Sequence, residues 1–181
     1  MKTLVLALFA LLVLAGCIGT TPPEPRALVA VYELRFRADA TPEERAGALR
    51  GAEMWSPQVE WTVGPDWAEM YTIAPKGRET RIIHVAFVAD WDPMARNESE
   101  AGWGGTPADR RYRFATLARG RWAGSVQVVA HELGHAMGLG HLEPPASGIM
   151  SSSSSLRQVT GDDWAAFCRV HFCDPTPGVD P

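Results

Sequence analysis

The sequence predicts an α+β fold, an α/β sandwich with helices packed against one side of a mixed sheet. Three observations point there. Residues 81–89, Arg-Ile-Ile-His-Val-Ala-Phe-Val-Ala, are apolar on both faces, as in a central strand covered twice. Shorter alternating segments precede them, and capped helical segments lie on either side. The chain has 181 residues and is 46% hydrophobic, enough for one developed core and too short for two.

Taken in order, residues 28–36 begin apolar and pass into alternation, which predicts a first strand. Thr41-Pro42-Glu43-Glu44 follows, with Thr as N-cap, Pro at N1 and Glu at N3, so a helix begins there and stops near Ser56-Pro57. Residues 58–63 alternate up to Gly64-Pro65 and predict a second strand; residues 67–73 add a short one. After the central strand, residues 90–111 are rich in Gly, Pro, Asp, Asn and Glu and read as a long loop. Residues 112–118 are expected as an edge strand. A helix over Val126–Met137 is capped by Ser125, and Thr160-Gly161-Asp162-Asp163 opens a last helix through Trp164, Phe167 and Val170.

The folded part is expected over residues 27–173. Before it, Lys2 and the apolar run from Leu4 to Leu14 form an export signal over residues 1–16, shorter than the roughly 20 residues that span a bilayer. Leu14-Ala15-Gly16-Cys17 resembles the bacterial lipobox, in which the cysteine is acylated and becomes the new N-terminus. Cys17 would then anchor the chain in a membrane of the bacterial cell envelope, and the proline-rich residues 17–26 would be its tether. The alternative is a plain signal peptide and full secretion. Residues 174–181, again proline-rich and polar, read as a flexible tail.

The chemistry concentrates in His131-Glu132-Leu133-Gly134-His135-Ala136-Met137-Gly138-Leu139-Gly140-His141. His131 and His135, four apart, share one helical face and can hold one Zn²⁺. Gly138 can take φ > 0, end the helix and bring His141 back to the metal. Glu132 flanks the same face, where its carboxylate can act as general base on a water at the open coordination position. A chance match to this eleven-residue pattern in a chain of this size is on the order of 10⁻⁵. Structural zinc sites are closed by four protein ligands and favour Cys, so three imidazoles beside a carboxylate point to catalysis.

With these residues the chain resembles the metzincin zinc peptidases, and among them the matrixins. The likeness is tight over His131 to Met150 and looser from Leu28 onward. It implies a twisted mixed sheet with an active-site helix, a backing helix and a C-terminal helix. It also implies that Met150, in Ser147-Gly148-Ile149-Met150-Ser151, forms the hydrophobic floor of the metal site in a tight turn. Gly104-Gly105-Thr106-Pro107-Ala108 resembles the matrixin stretch preceding the edge strand along which a substrate lies antiparallel. Leu142, right after the third His, is none of the residues that mark the astacin, adamalysin or serralysin subfamilies. The serine run 151–155 replaces the matrixin pocket-wall motif, and no cysteine-containing propeptide stands between Cys17 and Leu28.

Two functional classes are in view: a zinc endopeptidase acting on protein or peptide substrates, and an anchored zinc-containing binding module without activity. Glu132 separates them, because a non-catalytic descendant has no reason to keep it. With 17 basic against 21 acidic residues, no nucleic-acid footprint exists, and a monomer is expected. Cys168 and Cys173 are candidates for a disulfide in an exported protein. On a continuous helix their Cα atoms would lie about 8.6 Å apart, beyond the roughly 7 Å a disulfide tolerates, so the helix must end between them. Asp90, Asp92, Asn97, Glu98, Glu100 and Asp109 offer oxygens for Ca²⁺, but no motif spacing supports a site and solvated loop carboxylates are expected. His84 and His171 are expected to serve structure.

Overall fold

The structure is a computed structural model that describes residues 30–56, 58–68, 81–89, 102–105, 113–122, 124–151 and 158–173. In chain order its elements are β1 (Ala30–Phe36), α1 (Pro42–Glu53), β2 (Val59–Val63), β3 (Ile82–Val88), β4 (Gly102–Gly105), β5 (Arg113–Ala118), the single turn α2 (Arg119–Trp122), α3 (Val126–Met137) and α4 (Gly161–His171). The sheet order is β2-β1-β3-β5-β4. β1 runs parallel to β2 and β3, β3 parallel to β5, and only β4 is antiparallel to its neighbour. The fold is therefore α+β with a mixed five-stranded sheet. The doubly apolar β3 takes the central place its composition calls for, since water reaches neither face.

Alternate residues of the strands build the core on one face: Tyr32, Leu34 and Phe36 from β1, Ile83, Val85 and Phe87 from β3, Ala115 and Leu117 from β5. The three long helices cover that face with Ala48 and Ala52 of α1, Val129, Leu133 and Met137 of α3, and Trp164 and Phe167 of α4. Small residues on α1 let it approach α3 closely. A Cβ on Gly51 would stand 2.7 Å from Val129 Cβ and 3.1 Å from Ala130 N, which leaves no room for a side chain. Fully buried Trp55 closes the joint, donating from Nε1 to the Ala130 carbonyl at 2.9 Å and meeting Trp164 edge-on at 5.5 Å between ring centroids. The position of α3, and with it the histidine cluster, is set by these contacts.

The capping box forms: Thr41 Oγ1 accepts from Glu44 N at 3.2 Å and Glu44 Oε2 accepts from Thr41 N at 2.8 Å. Glu44 also pairs with Arg119 at 2.7 Å, tying α1 to the end of β5. α4 stops at His171, and Phe172 takes the left-handed conformation with φ 55°. That turn brings the Cα atoms of Cys168 and Cys173 to 4.5 Å, and the two are bonded, so the helix ends between them as geometry requires.

One expectation is corrected. Residues 112–118 are not the edge of the sheet: β5 is buried along most of its length and pairs on both sides. The edge is β4, inside the stretch read as loop. Glycine has low strand propensity, and a four-residue strand with three glycines carries little signal. Of the short strand over residues 67–73, Trp67 forms an isolated parallel bridge to Arg37, and residues 69–73 lie outside the described residues. Also outside them are residues 1–26 with Cys17, the loop residues Asp90, Asp92, Asn97, Glu98, Glu100 and Asp109, Thr106 to Ala108 and the tail 174–181. Among the described residues no helix is long and apolar enough to cross a membrane.

Candidate metal centre

α3 begins at Ser125, whose side chain accepts from Val128 N, and carries His131 and His135 on one face. It ends at Gly138, with φ 103° and ψ 10°, a conformation that excludes most side chains. Leu139 N donates to Gly134 O at 3.0 Å and Gly138 N to His135 O at 2.9 Å, so the chain reverses and His141 returns toward the helix. The three Nε2 atoms then stand 3.1 Å (His131 to His135), 3.1 Å (His135 to His141) and 3.2 Å (His131 to His141) apart.

The short N···N separation between His131 and His135 is not an ordinary hydrogen bond. His131 Nδ1 lies 2.7 Å from Ile149 O and His135 Nδ1 2.8 Å from Leu139 O. A carbonyl only accepts, so each Nδ1 carries the proton and each Nε2 presents a lone pair inward. A tetrahedral ion with M–N distances of roughly 2.0–2.1 Å separates its ligands by about 3.3–3.4 Å, close to the triangle observed. The cluster consists of these three imidazoles, and no fourth His, Cys or carboxylate joins it among the described residues. The donor set fits a divalent metal with one position open.

Burial holds the His131 imidazole below its ordinary value of 6.5 and lowers His135 to about 4; neighbouring imidazoles push the same way, and the backbone partners oppose. Burial likewise depresses His84, which sits edge-on to Trp67 in β3. With folded-state values below unfolded ones, the unfolded chain takes up protons first as pH falls through about 6.5. Stability of the metal-free protein is therefore expected to decline between pH 7 and pH 5, by something on the order of 1 kcal/mol or more. Urea titrations at the two pH values check this, and an unchanged or rising stability would contradict neutral burial of these rings.

Met150 is fully buried and packs against Gly134 of α3. Gly134 makes room: a Cβ there would overlap the Met150 sulfur and stand 3.1 Å from Trp55 Cζ2. The turn holding Met150 is clamped by Asp163, a fully buried carboxylate that accepts from Ile149 N at 2.8 Å, Met150 N at 3.0 Å and Thr160 N at 2.8 Å. The Thr160 hydroxyl donates to Ser147 O at 2.5 Å, and Asp162 accepts from Ser147 N at 2.7 Å. A Cβ on Gly148 would overlap the Asp163 carboxylate. Sequence reading placed Asp163 only at a helix start. Its second task joins α4 to the turn whose Ile149 carbonyl orients His131.

Glu132 is buried next to His131 in α3, and β4 lies against its backbone. A Cβ on Gly104 would overlap the Glu132 carbonyl oxygen and stand 2.9 Å from its carbon, so only glycine lets the edge strand come this close. β4 closes one end of the sheet, and its outer side pairs with no strand among the described residues. The glycine pair noted in the sequence is thus part of the edge strand itself. Cys168 and Cys173 lie at the end of α4 and take no part in the cluster. No protein-family model matches the chain, and no curated protein matches it significantly.

Proposed function

We propose that the protein is a zinc-dependent endopeptidase of the metzincin type, matrixin-like in its active-site helix. The observation that carries the reading is the convergence of three Nε2 atoms, two of them presenting lone pairs because their Nδ1 protons are committed to carbonyls, with the buried Glu132 next to His131 in the chain. His131, His135 and His141 would hold the zinc ion, and with three neutral ligands it would supply a Lewis acid for the scissile carbonyl and lower the pKa of water at the open position. Glu132 takes the proton of the attacking water on its carboxylate and returns it to the departing amine. Leu139 and Ile149 fix the tautomer and aim of two ligands through their carbonyls. Met150 supplies an apolar floor, and β4 offers an extended peptide an antiparallel partner next to Glu132. The same reading takes the protein to be exported and held at the cell envelope through Cys17.

The test combines metal analysis with a peptide library. Purified protein is expected to contain one zinc per chain, to cleave library peptides, and to lose both on treatment with a chelator or in His135→Ala. Zinc retained in full by His135→Ala would remove the ligand assignment. A zinc-loaded protein that cuts no peptide would leave the binding module as the better account.

A further inference from the structure

The last turn of α3 is held in an unusual way. Helices leave their final carbonyls without intrahelical donors, and water commonly takes them. Here Gly134 O and His135 O accept from the turn itself, but the next two are taken by side chains from distant elements. Arg113 of β5 donates from Nη1 to Ala136 O at 2.8 Å. His171 of α4 approaches Met137 O with Nε2 at 3.1 Å and, since a carbonyl only accepts, donates to it. Both side chains are braced by aromatics. The Arg113 guanidinium lies 5.8 Å from the Tyr32 ring centroid, and the His171 imidazole stacks on Phe167 at 4.1 Å and meets Tyr32 edge-on. His171 also falls within the loop closed by Cys168 and Cys173, which holds the end of α4.

We infer that Arg113 and His171 are positioning residues of the metal centre, which set how tightly the metal is held through the two terminal carbonyls of α3. Immediately after those carbonyls comes the turn from Gly138 to His141. Leu139 O in that turn orients His135, and His141 is the third donor. A shift of the helix end therefore moves two of the three imidazoles at once. Groups bonded directly to metal ligands change metal affinity about 10–100-fold when removed, and Arg113 and His171 act one contact further out, so an effect at the low end of that range, about 10-fold, is expected. The inference rests on the metal reading of the site.

Zinc dissociation constants by chelator competition, and the visible spectrum of the Co²⁺-loaded protein, test it on Arg113→Met and His171→Phe. Zinc is expected to bind about 10-fold more weakly in each, with an altered Co²⁺ spectrum. Arg113→Lys and His171→Gln, which still carry donors, are expected to recover most of the loss. A lowered melting temperature of the metal-free variants, with parental zinc affinity and an unchanged Co²⁺ spectrum, would mean that the two residues only stabilise the fold and would overturn the inference. Should the apolar variants not fold, the Cys168→Ser/Cys173→Ser chain is the second arm: freeing the end of α4 is expected to speed zinc loss several-fold, and parental loss overturns the role of His171. A parent chain that takes up no metal sinks the metal reading and this inference together; a metal-binding parent with unaffected variants sinks the inference alone.

Discussion

Replacing Glu132 by glutamine is expected to remove nearly all peptide hydrolysis while leaving the fold and the metal in place. Glutamine has the shape of glutamate and can hydrogen-bond, but its amide does not take up a proton near neutral pH. Glu132 is buried within α3, one residue from His131, and is no part of the imidazole cluster, so metal content is expected not to depend on it. A positioned acid–base group contributes roughly 10²–10⁴-fold, and kcat/KM on a fluorogenic peptide should fall by about that factor. Metal content and far-UV circular dichroism should match the parent. His131→Ala is the control and should lose metal together with activity. Cleavage by Glu132→Gln at the parental rate would remove Glu132 from the mechanism even with zinc bound.

Asp163→Ala is expected to be among the most destabilising single substitutions in the chain. It leaves the backbone N–H groups of Ile149, Met150 and Thr160 without their acceptor, the first two in a buried place and the third in a partly buried one. Each orphaned buried donor costs about 1–3 kcal/mol, so the two buried N–H groups of Ile149 and Met150 together cost on the order of 2–6 kcal/mol against a total stability of about 5–15 kcal/mol for a typical domain. The loss should extend to metal affinity, because the freed turn carries the Ile149 carbonyl that orients His131. Asp163→Asn keeps one acceptor oxygen and should fall between parent and Asp163→Ala. Urea denaturation of the metal-free proteins measures the first effect and chelator competition the second. A loss below about 1 kcal/mol in Asp163→Ala would show that water or a shifted turn replaces the carboxylate.

The local signals in this sequence were strong where a single residue dictates a backbone state. Thr41 with Glu44 forms the capping box at the start of α1, and Ser125 caps α3. Gly138 adopts the positive φ that its place after His135 calls for. Periodicity alone placed His131 and His135 on one face, and the doubly apolar run 82–88 marked the centre of the sheet. Helix geometry states the condition under which Cys168 and Cys173 bond, and the left-handed Phe172 meets it.

What sequence could not supply depends on groups far apart along the chain. Asp163 reads as an ordinary helix-start residue until Ile149 and Met150, 14 and 13 positions earlier, turn their N–H groups toward it. Gly104 reads as loop composition until the Glu132 carbonyl arrives where its side chain would be, and the edge of the sheet was assigned to β5 for the same reason. Arg113 and His171 look like a strand residue and a structural histidine until packing on Tyr32 and Phe167 delivers both to the last carbonyls of α3. Backbone preference and hydrophobic period are properties of neighbouring residues and are written locally. Which donor meets which acceptor across more than a dozen residues is decided only when the core closes.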